Sequence, residues 1–130
     1  LQYRINGRPE RTEGIDEENG RVWMPIFDEL GIDIVFTAHL HTYRNRGHIY
    51  GFEKGAAKKG PLYILTGVAG NVRYPNLWID HAFDEVTLPQ PETDNYLTME
   101  IRQDAIEVAC FLPDGTEMDR VQVRKRSAEG

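Results

Sequence analysis

Apolar positions are sparse over residues 1–20, where Arg4, Arg8, Glu10, Arg11, Glu13, Asp16, Glu17 and Glu18 are set among Gly7, Pro9, Gly14 and Gly20. A stretch without regularly spaced apolar residues gains little from a helix or a strand, and the pattern predicts an irregular surface arm over 1–20. The period changes at Val22. Val22, Trp23, Ile26, Phe27 and Leu30 recur at helical spacing, and Gly31 follows as a residue that tolerates the left-handed backbone closing a helix. Pro25 has no N–H, so the helix must begin within a turn of it or kink around it. Residues 32–37 (IDIVFT) then form a β-branched run with apolar residues on both faces, the signature of a strand buried between two layers. A helix feeding such a strand predicts an α/β arrangement.

The chain leaves this strand into Ala38-His39-Leu40-His41-Thr42-Tyr43-Arg44, a polar and aromatic loop at a strand's C-terminal end, where open sheets place ligands. A second short strand is expected over 48–52 and a mobile turn over 55–60. Leu62 to Thr66 repeats the buried-strand signature and runs into Gly67-Val68-Ala69-Gly70-Asn71, so two strands end in loops that can converge on one cleft. Residues 74–90 are mixed, with Trp78, Ile79, Phe83 and Val86 offering core contacts. Further on, Leu97, Met99 and Ile101 alternate with polar neighbours, as do Ile106, Val108, Cys110 and Leu112, which predicts half-buried antiparallel strands. Pro113-Asp114-Gly115-Thr116 supplies the turn into a third strand through Val121 and Val123. A three-strand meander is the expected close, with Arg124-Lys125-Arg126 as a solvated end. No internal repeat or low-complexity block interrupts the pattern.

Composition narrows the function. With 130 residues, 40% of them apolar, the chain supports one core and not two. Fifteen basic against 21 acidic residues give a net charge of −6, which offers no overall grip on nucleic acid. The single Cys110 makes no intramolecular disulfide and no Cys-rich zinc site, and leaves the compartment open. No apolar run approaches the roughly 20 residues that span a bilayer, and no signal segment opens the chain, which predicts a soluble protein without a membrane partner.

His39 and His41 are the sharpest chemical feature. Residues two apart in an extended segment point the same way, so both imidazoles can reach one metal centre. The run from the preceding strand through Ala38-His39-Leu40-His41-Thr42-Tyr43, then a strand into Thr66-Gly67-Val68-Ala69-Gly70-Asn71, resembles the C-terminal half of the calcineurin-like metallophosphoesterases, most closely the purple-acid-phosphatase-like branch. That family carries Gly-His-x-His at a strand end, then a strand and a Gly-rich turn; here the resemblance covers roughly 22–123, with Ala38 in place of the glycine.

The resemblance implies the C-terminal portion of a layered α/β/β/α sandwich, α/β (α+β) in class. It also implies hydrolysis of a phosphoester by water activated on two divalent or Fe/Zn/Mn-type ions. His39 would ligate one metal and His41 its neighbour, while Tyr43 and Asn71, on the two converging loops, would contact substrate. The family's Asp-x-His, Gly-Asp and Gly-Asn-His elements lie upstream of the histidine pair and do not occur in this chain; Gly70-Asn71 is followed by Val72 and comes after the pair. The expectation is therefore a fragment that partners a missing N-terminal half, is inactive alone, and self-associates, most simply as a two-fold homodimer.

Two other readings compete. One is a non-enzymatic β-rich binding or accessory module with an incidental His-x-His. The other is a cupin-type single-metal barrel, which expects a Glu soon after the pair; here Glu53 is distant. His48 and His81 read as satisfied structural histidines. Lys54, Lys58 and Lys59 read as a solvated hairpin tip, and Cys110 as a small core residue rather than a nucleophile.

Overall fold

The computed structural model describes residues 19–38, 41–70, 80, 82–89 and 92–126. Helix α1 (Gly20–Leu30) ends as the sequence predicts, with Gly31 at φ 66° and ψ 37°. The Gly31 N–H donates to Asp28 O at 3.3 Å and the Ile32 N–H to Phe27 O at 3.1 Å, a pair of bonds that satisfies carbonyls the helix would otherwise orphan. The helix starts one residue inside the expected arm, because Asn19 O accepts the Trp23 N–H at 2.9 Å. Residues 1–18 lie outside the described residues. Pro25 falls just past the first turn, where its missing N–H removes a single bond of the ladder.

Five strands form a mixed sheet: β1 (Ile34–Thr37), β2 (Tyr43–Tyr50), β3 (Glu53–Lys54), β4 (Leu62–Thr66) and β5 (Val86–Thr87). Their order is β1-β4-β2-β3, with β5 also on β2. β1 and β4 run parallel, Ile34 opposite Leu62 and Thr37 opposite Leu65, while β2 returns antiparallel with Tyr43 opposite Thr66. The register shifts between Asn45 and His48. Gly47 occupies this irregularity at φ 68°, a left-handed backbone that favours glycine, and the Glu85 carboxylate lies directly beside it.

The second sheet is the predicted meander, β6 (Tyr96–Ile101), β7 (Ala105–Phe111) and β8 (Glu117–Arg124). Its second turn is closed by Asp114 Oδ1 accepting the Thr116 N–H at 2.8 Å and by Gly115 at φ 90°. The two sheets face each other across Tyr43, Leu62, Ile64, Leu88, Val108, Cys110 and Val123. On the outer face of the larger sheet a smaller cluster of Met24, Ile49 and Tyr63, flanked by Phe27, Val35 and Phe83, seats α1. The class is α+β, one helix with eight strands in two sheets among the described residues.

Three details differ from the sequence pattern. The strand expected over 48–52 is the end of a longer one beginning at Tyr43, so Tyr43 and Arg44 are strand and not loop. The apolar stripe of α1 faces mostly outward: Met24 is the buried contact, Phe27 is half-buried, and Val22, Trp23, Ile26 and Leu30 are exposed. Met99 and Ile101 share the inward face of β6 with Leu97, yet they are 52% and 66% exposed because nothing among the described residues covers them.

Candidate metal and phosphoester site

Parallel neighbours finish at the same end of a sheet, so the segments leaving β1 and β4 emerge side by side. One carries Ala38, His41 and Thr42 into β2; the other carries Gly67 to Gly70. Tyr43 opposite Thr66 brings the start of β2 against the exit of β4, so both segments border one patch of surface. His39 and Asn71, the other expected ligand and substrate contact, lie outside the described residues. His41 lies within them, immediately before a fully buried Thr42.

The burial of Thr42 has a specific chemical basis. Its Oγ1 donates to Glu92 Oε1 at 2.5 Å and accepts from Arg44 Nε at 3.0 Å, while Glu92 Oε2 accepts the Tyr43 N–H at 2.9 Å. Charge-assisted bonds of this kind outweigh neutral ones, and a carboxylate as buried as Glu92 requires them. Arg44 is in turn only 1% exposed; its Nη1 reaches Asp80 Oδ1 at 2.5 Å and Asp84 Oδ2 at 3.5 Å. Arg46 Nε meets Asp84 Oδ1 at 3.1 Å. The basic residues nearest the histidines in sequence are therefore engaged with carboxylates inside the fold.

The same downstream segment holds the glycine turn. Asn95 N–H donates to Val68 O at 2.8 Å, and the Gly70 N–H donates to Asp94 Oδ1 at 3.0 Å. Gly67, at φ 85°, lies so close to the Asn95 amide that a Cβ would come within 2.2 Å of Asn95 Oδ1. Residues 92–95 thus fasten both site segments, Glu92 on the histidine side and Asp94 with Asn95 on the glycine side. No local pattern marks Glu92 or Asn95 for this, since their partners are far away in sequence.

Tyr43 turns away from the surface. Its ring belongs to the core between the sheets, 1% exposed, and its hydroxyl donates to Asp119 Oδ2 at 2.7 Å. Burial first, and then Asp119, push the phenol far above its ordinary range, so it stays protonated. Cys110 lies in the same core, its thiol pushed up to about 12 by burial and then by the Asp119 and Glu92 charges, which keeps it a neutral packing group. His48 lies at the other end of β2, opposite Leu62, with Nδ1 2.8 Å from Gly60 O. No set of three or more possible metal ligands is grouped together among the described residues. Comparison with family models, curated proteins and solved structures finds no match to this chain.

Proposed function

We propose that the chain is the C-terminal part of a dinuclear metal-dependent phosphoesterase of the calcineurin-like, purple-acid-phosphatase-like kind, completed by an N-terminal half that carries the remaining ligands. The observation that carries this reading is the parallel pairing of β1 with β4, which brings the exits toward the His-x-His segment and the glycine turn to one end of the sheet. Imidazoles suit Zn and Fe, Mn-type ions favour carboxylates, and a pair of imidazoles is too few for two metals, so carboxylates from the other half belong to the scheme. His39 and His41 would hold one ion each. The ions would supply Lewis-acid stabilisation and an acidified water for attack on the phosphoester.

The remaining residues would position and not react. Glu92, by accepting from Thr42 Oγ1 and the Tyr43 N–H, fixes the backbone directly after His41. Arg44 and Arg46 are engaged with Asp80 and Asp84 and are not counted among phosphate contacts. Asn71 remains the substrate contact in this reading. Tyr43 contributes through its N–H and its packing.

The test is a zinc titration of the 130-residue chain against its His39→Ala/His41→Ala variant at neutral pH. Tighter binding by the unaltered chain is expected, together with no turnover of a chromogenic phosphoester by either protein. Equal zinc affinities would make the histidine pair incidental, and chelator-sensitive turnover by the isolated chain would overturn the need for a second half.

A further inference from the structure

A second charged feature lies at the opposite end of the larger sheet from His41. A cavity of about 430 Å³ runs between the turn after β3 and the last strand, β8. His48 and Lys58 line one wall; Arg120, Arg124, Lys125 and Arg126 line the other. On a chain of net charge −6 such a concentration of cations is unexpected, because like charges brought together repel unless something answers them. Arg120 is answered by Glu107 and by Glu117. Lys58, Arg124, Lys125 and Arg126 have no ion-pair partner among the described residues; the Arg126 guanidinium donates instead to Ile32 O at 3.2 Å.

The three lysines that read as one solvated tip are separated by the fold. Lys54 is held by Arg46 O, Phe83 O and the Glu85 carboxylate, and Lys59 lies over the Tyr50 ring at 4.0 Å from its centre. Lys58 alone faces the C-terminal basic run. Its backbone is left-handed, φ 59°, directly after Ala57 at φ 51°, and two consecutive non-glycine residues in that region cost about 1 kcal/mol or more each.

His48 lines the same cavity. A carbonyl oxygen only accepts, so the 2.8 Å contact with Gly60 O assigns the Nδ1 proton to that bond. Nε2 is then an acceptor, and it is buried with no hydrogen-bond partner among the described residues. An acceptor in this state takes a bond only from a donor, such as a water or a phosphate oxygen that still carries its proton, and gives none to a bare oxyanion. Glu85 lines the adjoining cavity of about 210 Å³ beside His48, and its charge is answered by Lys54 at 2.9 Å.

We infer that this groove is a binding site for a diphosphate group, free or carried on a nucleoside. Lys58, Arg124 and Lys125, without ion-pair partners among the described residues, border one cavity together with Arg120, Arg126 and His48, and a polyanion with more than one charged group answers such a set better than a single carboxylate would. The site stands apart from the phosphoesterase reading, because His48 pairs with Leu62 at the start of β4, whereas the histidine segment borders its end.

The experiment is calorimetric titration of the metal-stripped 130-residue chain with inorganic pyrophosphate and, in a second arm, with ADP. One site per chain is expected, weakened by added salt. Reversing two of the charges that line the cavity, Lys58→Glu with Arg124→Glu, should weaken binding by roughly tenfold or more, and Lys58→Gln with Arg124→Gln by less. ADP binding as tightly as pyrophosphate means that the diphosphate alone is read, and tighter ADP means that the nucleoside adds contacts; both support the site. His39→Ala/His41→Ala should leave the affinity unchanged. The inference is overturned if millimolar pyrophosphate does not bind, if charge-reversed variants with an unaltered circular dichroism spectrum bind equally, or if the histidine variant loses binding.

Discussion

The Tyr43 hydroxyl, on the larger sheet, donates to Asp119 Oδ2 on the smaller one at 2.7 Å, inside the sandwich. Asn45 Nδ2 donates to the same oxygen at 3.0 Å, so one carboxylate ties β2 to β8 through two donors. Removing one leaves the other in place. Tyr43→Phe should therefore lower stability by about 1–3 kcal/mol, read as a lower urea midpoint. The double variant with Asn45→Ala should lose more than the sum of the single changes, because only then does the carboxylate face an apolar interior without these donors. Strict additivity would mean that Asp119 is solvated and does not join the sheets.

Cys110, Tyr43 and Tyr63 all titrate above their ordinary values, burial being the largest cause for each and nearby carboxylates adding to it. In the unfolded chain Cys110 loses its proton near 9.0, whereas the native thiol holds it until about 12. Between these values the unfolded state binds fewer protons than the native state, so stability present below pH 9 falls as pH rises. The phenols act in the same direction. Denaturant melts at increasing pH should show a decline beginning near pH 9, and a thiol reagent at pH 8 should label Cys110 only as fast as the chain unfolds. Rapid labelling of native protein would contradict the buried, neutral thiol.

The two sheets are open on the same side. Tyr43 and Asn45 reach Asp119, which sets β8 over β2, while Asp33 before β1 shares a depression with Ile101 of β6. β1 and β6, each an end strand of its sheet among the described residues, therefore border one open side that exposes Phe36, Met99 and Ile101. Beside it, an apolar cavity of about 250 Å³ lies between α1 and the sheet, lined in part by Trp23, Phe27, Val35 and Phe83. Unpaired edges and uncovered apolar groups drive association. Sedimentation should show a concentration-dependent dimer that Met99→Lys/Ile101→Lys shifts toward monomer. A monomer from micromolar to millimolar concentration that binds no hydrophobic dye would remove this expectation.

What the sequence determined by itself is whatever depends on near neighbours. Helix α1 with its Gly31 stop, the apolar strands β1 and β4, and the meander with its Asp114-Gly115 turn are all legible, because period and turn chemistry act within a few residues. Only the tertiary structure decided what covers each element. Arg44 reads as the end of a loop, and Asn45 and Arg46 fall before the expected strand, yet all three are buried near the start of β2, because Asp80, Asp84 and Asp119 supply partners 36, 38 and 74 residues away. Thr42 is closed by Glu92 from 50 residues along the chain. The stripe of α1 predicted a helix, while the face that packs was chosen by the sheet, which takes Met24 and leaves Trp23 and Leu30 exposed. Local conformation is set by the backbone and its immediate side chains, whereas the burial of a charge depends on a distant opposite charge that no short window of sequence contains.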